Sequence, residues 1–249
     1  MQTTRQQLVI QIARLFPDGL FYKKTPEKVI ALTIDDMPTP DEPDEASSQM
    51  ILDAIATHNQ SLENASDPPE DRLRQQARAT FFIISSHLSD QSTLLGRMVA
   101  QGHEIANHGT ADETTALLKP EVFETQFKAA HQHITQRLAD PSGHPLRWYR
   151  PGRGLYNRAM LSTLQQMPDY VPLFALASML PVDTFKPTHD AAFTVWYASQ
   201  HFFPGSILVL HGGSLERRQQ TARALPLILA ELHQQGYRVV TLSELWNEV

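Results

Sequence analysis

Short apolar runs, each too brief for a stable helix, alternate along this chain with longer stretches in which apolar residues recur every three or four positions. The runs are KVIALTI before Asp35, ATFFII from Ala79 to Ile84, HEIANH ending on His108, RWYR from Arg147 to Arg150, VPLFALA, SILVLH from Ser206 to His211, and RVVTL. Runs of this length that are apolar throughout read as buried strands. Between them lie helical stripes: Met50, Ile51, Ala54 and Ile55; Leu94, Leu95, Met98 and Val99; Val122, Phe123, Phe127, Ala130 and Ile134. Further helices are expected around 159–166 and 222–235, with Pro226 near the start of the latter. Ser47 or Ser48 caps the first stripe and Ser92 the second, Lys119-Pro120 opens the third, and Gly102 and Gly236 close helices.

Leu8, Ile12, Leu15 and Phe16 add a helix within residues 1–20, stopped by Pro17-Asp18-Gly19 and expected to pack against the outside of the body. SELWNEV predicts a short closing helix. A Pro- and acid-rich loop spans 37–48, and a polar insertion spans 60–78 around Asp67-Pro68-Pro69. Strand and helix alternate about seven times, with no internal repeat and no second compositional regime. That pattern predicts one α/β domain of parallel strands joined by crossover helices.

In such folds the reactive side chains gather at the carboxyl ends of the strands. Asp35, Asp36, His108, Arg150 and His211 each fall at such an end. Two adjacent carboxylates leaving a strand can be aimed at different tasks, one holding a cation while the other moves a proton. His108 and Asp112 are four apart in NHGTAD, so a helical turn after His108 places both on one face. Asp36, His108 and Asp112 then offer two oxygens and one nitrogen to a divalent ion, with a position left for water. A zinc ion in such a place brings its water to a pKa of about 7. Two carboxylates make that water less acidic than two imidazoles would, which opens the site to manganese, cobalt or nickel. His103 points to the opposite side of its strand from His108 and is expected to be a packed, structural histidine.

Composition narrows the partners. A net charge of −6 over 249 residues, with Lys and Arg dispersed, argues against nucleic acid. Zero cysteines exclude disulfides, thiolate ligands and a thiol nucleophile. No run reaches the roughly 18 apolar residues of a membrane helix, and LVIQIARLF is interrupted by Gln11 and Arg14, so neither a membrane partner nor a signal peptide is expected and the location is read as cytoplasmic.

With these residues in place, the chain resembles the polysaccharide deacetylases that carry a NodB-homology domain. TIDDMP is similar to the family's TFDDGP, ATFFI to its following strand, and GHEIANHGTAD to its GHEIGNHTxxH stretch. RWYRPGRG resembles its arginine-proline motif, SILVLHGG its leucine-histidine motif, and the tail through Leu245 its closing helix and strand. The resemblance implies a distorted (β/α) barrel of about seven parallel strands and a metal-dependent hydrolase that removes acetyl groups from N-acetylated sugars. It further implies Asp36, His108 and Asp112 as metal ligands, zinc first among the ions, with Asp35 as catalytic base. Arg150 would orient that base, His211 would be the general acid, and a backbone N–H near Gly152 or Arg153 would meet the oxyanion.

The departures from the pattern are specific. Asp112 replaces the family's second metal histidine, Met37 its glycine, and Arg153 a tyrosine. Lys186-Pro187 stand where an Asp-Trp pair beside the acid histidine is expected, leaving Asp183 as the substitute carboxylate. They leave two alternatives beside the sugar deacetylase: an amidase of a small nitrogen compound on the same fold, and a carbohydrate-binding homologue without turnover.

Overall fold

The computed structural model describes residues 4–40, 42, 45–63, 68–179, 182–184 and 190–247. Its seven strands are β1 (Gly19–Leu20), β2 (Val29–Met37), β3 (Ala79–Ile83), β4 (Glu104–Asn107), β5 (Phe174–Ala175), β6 (Ile207–His211) and β7 (Arg238–Val240). Its helices are α1 (Thr4–Leu15), α2 (Ala46–Glu63), α3 (Pro69–Gln75), α4 (Leu94–Ala100), α5 (Pro120–Thr135), α6 (Arg158–Gln165), α7 (Ala191–His201), α8 (Leu215–Gln234) and α9 (Leu242–Asn247). Every strand pair is parallel, as the alternation requires.

The strand order β4-β3-β2-β6 curves into a ring through irregular backbone. Tyr149 bridges to Asn107 on one side and to Phe174 on the other, so RWYR occupies a strand position between β4 and β5. Pro145 and Pro151 flank it and lack the N–H groups that a longer ladder needs. Beyond β5, Ser178 donates its N–H to Ile207 O at 2.9 Å and accepts the Ile207 N–H on its hydroxyl at 2.8 Å, which closes the ring onto β6. The outcome is the expected barrel, distorted because two of its staves are only one or two ladder residues long. β2 is its central stave and is buried along its whole length.

Some local expectations are corrected. α2 begins at Ala46, so Ser47 and Ser48 lie inside it; the Glu42 carboxylate accepts the Ser47 N–H at 3.0 Å in their place. The final long helix, α8, starts at Leu215 rather than 222, which leaves Pro226 in its interior. Within 60–78, the described residues belong to the end of α2, to α3 and to the lead-in of β3. Lys186 and Pro187 lie outside the described residues, as do 64–67 of the insertion and part of the acidic loop. Among the described residues, no helix is long and apolar enough to cross a membrane.

Candidate active site

The carboxyl ends of β2, β4 and β6 and the end of RWYR open into one cavity of about 960 Å³, whose lining includes Asp35, Asp36, His108, Asp112, Arg150 and His211. The sequence motifs therefore converge in space. Strand alternation alone would turn Asp35 and Asp36 to opposite sides of β2. The β2–β3 register shifts between Ile34 and Met37, and Asp36 takes a left-handed φ of 60°, so both carboxylates reach the cavity. Gly213, at φ 59°, makes room for this turn: a Cβ there would sit 3.2 Å from the Asp36 Cβ. Its N–H donates to Asp36 O at 3.0 Å, and that of Gly212 donates to Asp35 O at 2.8 Å.

Asp35 is held from one side only. Arg150 donates through Nη1 to Asp35 Oδ1 at 2.5 Å and to the Thr33 hydroxyl at 2.8 Å. Its Nε and Nη2 donate to the carbonyls of Ala175 and Leu176 at 2.9 and 3.0 Å, and the guanidinium lies 4.1 Å above the Phe82 ring. A buried guanidinium with all these partners has one available orientation. The second oxygen, Asp35 Oδ2, stands 3.9 Å from His108 Nε2 and 3.9 Å from His211 Nε2.

The two histidines are each fixed through Nδ1. His108 Nδ1 donates to Arg150 O at 2.8 Å, which leaves Nε2 to face Asp36 Oδ1 at 3.3 Å. His211 Nδ1 is 3.0 Å from the carboxylate of Asp183, which is buried. Burial would lower the His211 pKa, but Asp183, with Asp35 and Asp36, raises it to about 9. Burial would raise the Asp36 carboxyl; His108, His211 and Arg217 hold it well below the usual carboxylate range. For His108, burial pulls the pKa down and the Asp36 and Asp35 carboxylates carry it above the ordinary value.

Asp112 is where the geometry departs from expectation. Gly109, at φ 90°, turns the chain after His108, and no helix forms over 108–112. The i, i+4 face is therefore absent, and Asp112 reaches the cavity from a loop. Its carboxylate lies 3.1 Å from Arg153 Nη2. The two loops meet because Gly152 lacks a Cβ, which would fall 1.9 Å from Glu113 O. Among the described residues, no three His, Asp or Glu side chains are closed around one point. Asp36 and His108 form a two-donor pair whose chemistry fits a divalent ion, with Asp112 as a third carboxylate on the same cavity.

Arg217 and Thr33 escaped the sequence reading. Arg217 Nη1 approaches Asp36 Oδ2 at 3.6 Å, and Thr33 fixes Arg150. The only local signal for Arg217 is its place just after HGG, on the first turn of α8. His103 is buried as expected; its Nδ1 accepts the Ala79 N–H at 3.3 Å. Trp148 and Tyr149 are core residues, whereas Tyr156 lines the cavity.

Comparison with known proteins follows this geometry. The polysaccharide deacetylase family model matches residues 73–170. A chitooligosaccharide deacetylase of Sinorhizobium fredii is 30% identical over 86% of this chain and 90% of its own. A peptidoglycan-N-acetylglucosamine deacetylase of Bacillus cereus is 28% identical over 93% of this chain and 95% of its own. Among solved structures, the Xyl-CE4 domain of a multidomain xylanase from the hindgut metagenome of Trinervitermes trinervoides superposes with a TM-score of 0.71 at 25% identity, covering 89% of this chain and 91% of that domain.

Proposed function

The chain belongs to the polysaccharide deacetylase family, with its NodB-homology fold, and from that premise we propose that it hydrolyses the acetamide of an N-acetylated saccharide with Asp35 as base and His211 as acid. The observation that carries the assignment is the position of Asp35 Oδ2, 3.9 Å from Nε2 of each histidine while the other oxygen is tied to Arg150.

Asp35 Oδ2 takes a proton from the attacking water, and its oxygen adds to the acetamide carbonyl. Arg150 keeps the base aimed. His211, as imidazolium, gives its Nε2 proton to the departing nitrogen as the C–N bond breaks, leaving acetate and a free amine. Asp183 selects the tautomer by accepting from Nδ1. The family is divalent-metal dependent. Asp36, His108 and Asp112 would hold the ion, which when bound would supply Lewis-acid polarisation of the carbonyl and a more acidic water. Zinc is the first choice, and the carboxylate-rich set also suits manganese, cobalt or nickel.

The test is acetate release from N-acetyl chito-oligosaccharides by metal-loaded protein, compared with Asp35→Asn. Loss of release in the variant supports the reading. Sugar binding without release, unchanged by Asp35→Asn, marks instead an inert binding homologue; the guanidinia of Arg153 and Arg217 on two of the expected ligands are the observation favouring that second reading. Turnover of simple amides alone identifies the amidase.

A further inference from the structure

The active-site cavity does not end at the catalytic residues. Beyond them it runs under α1, whose Arg5, Leu8, Val9 and Ile12 line it together with Phe16 just past the helix end. The four helical positions make one face. Leu8, Ile12 and Phe16 of the stripe expected to pack on the outside of the body therefore face the cavity. Val9 is the only buried residue of α1, so this face has not been absorbed into the core. Leu155 and Met179 line the same cavity. Leu8, Phe16 and Leu155 are 61%, 50% and 55% exposed.

This wall is held in place at both ends. The Arg5 side chain donates to the Gln200 carbonyl on α7. Just after α1, Gly19 and Leu20 pair with Phe174 and Ala175 of the barrel. A saccharide bound along such a wall would face Leu, Val, Ile and Phe side chains, which offer no partner to its hydroxyls, and each stripped hydroxyl would cost free energy. An aliphatic chain meets no such penalty and gains from leaving water.

We propose that the substrate is amphiphilic: an N-acylated sugar joined to an aliphatic chain, with the amide at Asp35 and His211 and the chain lying along α1. The inference rests on the deacetylase reading for the amide end, and the chain has two chemical sources, the N-acyl group itself or the aglycone.

Calorimetry on metal-loaded Asp35→Asn separates them, using methyl N-acetylglucosaminide, octyl N-acetylglucosaminide and methyl N-octanoylglucosaminide as probes. One octyl-bearing ligand is expected to bind about tenfold or more tightly than the methyl reference, since a few buried methylenes suffice. Tightening by the octyl glycoside alone assigns the chain to the aglycone; tightening by the octanoyl amide alone assigns it to the acyl group. Adding Leu8→Asp, at an exposed position that leaves folding intact, is expected to remove most of the advantage, and Ile12→Asp likewise. Equal affinities for all three ligands, or an advantage that survives Leu8→Asp, overturn the inference. Wild-type release of acetate or octanoate from the same three ligands reads the deacetylase assignment separately: release without a chain effect overturns this inference alone, and a chain effect without release from any of the three overturns that assignment alone.

Discussion

The Asp183 carboxylate meets His211 twice, accepting its backbone N–H at 2.8 Å and standing 3.0 Å from its Nδ1. One side chain thus holds the strand end that carries His211 and raises the pKa of its imidazole. The first contact is structural and the second electrostatic, and they can be separated by substitution.

Asp183→Asn keeps an acceptor for the backbone N–H but removes the charge. His211, raised to about 9 in the intact protein, must then fall. With the imidazolium as the proposed active form, kcat/KM is expected to decline as pH rises through the His211 pKa. In the variant that decline is expected to begin lower, by roughly 1–2 pH units for the loss of one adjacent charge. A pH–rate profile of both proteins checks this; an unmoved alkaline limb would remove His211 from the acid role. The same linkage acts on stability: the folded pKa exceeds the ordinary 6.5, so the contribution is full below pH 6.5 and lost as pH rises toward 9.

Arg150 supports Asp35 at a site where both side chains are buried. Arg150→Met removes one partner and leaves the buried Asp35 side chain without its ion pair. Breaking a buried pair this way costs roughly 3–5 kcal/mol. Denaturant unfolding is expected to show that loss, whereas Asp35→Asn should lower kcat by about 10²–10⁴ with a far smaller effect on stability.

Much of this site was legible in the sequence because strand ends are local signals. Asp35, Asp36, His108, Arg150 and His211 each close an apolar run, and a parallel α/β fold brings such ends together whatever the loops do. The partners that decide geometry were not legible. Arg153 meets Asp112 only because Gly152 permits two loops to touch, and Arg217 meets Asp36 only because α8 begins at Leu215. Helical spacing after His108 suggested a shared face for Asp112, but Gly109 cancels it with one positive φ. In the fold, the short staves at Tyr149 and β5 were overread as full strands because prolines beside them limit the ladder without changing the apolar pattern.

Arg153 stands 3.1 Å from the Asp112 carboxylate and would compete with the ion proposed to bind there. The pair is about half exposed, so water screens it, and such pairs are worth roughly 0.2–1 kcal/mol. Arg153→Gln is accordingly expected to raise the affinity for zinc or manganese by a small factor, up to severalfold. Asp112→Ala should lower it by more than the roughly 10–100-fold typical of losing a group that merely orients a ligand. Competition titrations against a chelator measure both; metal affinity indifferent to Asp112 would leave Asp36 and His108 as the whole protein contribution.

Gly213 supports the Asp36 turn through backbone shape. With φ at 59° and space for only 3.2 Å between an added Cβ and that of Asp36, Gly213→Ala is strained and pushes on the proposed ligand Asp36. The left-handed conformation alone costs roughly 1–2 kcal/mol for a residue with a side chain. A thermal midpoint lowered by several degrees is expected, together with weaker metal binding. Unchanged metal affinity would mean that the Asp36 turn does not depend on this glycine.

His103 offers a stability test remote from catalysis. Burial lowers its pKa to about 4, and Arg78 and Arg97 add to the effect. The folded ring is neutral, with Nδ1 accepting the Ala79 N–H and its face set against Phe81 at 5.2 Å between centroids. Between pH 6.5 and 4 the unfolded chain binds a proton that the folded one refuses, so stability falls as pH falls through that window. At about 1.4 kcal/mol per pH unit, the loss from this one residue reaches roughly 3 kcal/mol at pH 4. His103→Gln keeps an acceptor in place of the ring nitrogen while removing the titration. It is therefore expected to be less stable at pH 7, where packing against Phe81 is lost, and to show a flatter decline toward pH 4. Chemical denaturation at closely spaced pH values distinguishes the two slopes, and parallel curves for variant and parent would place the acid sensitivity elsewhere in the barrel.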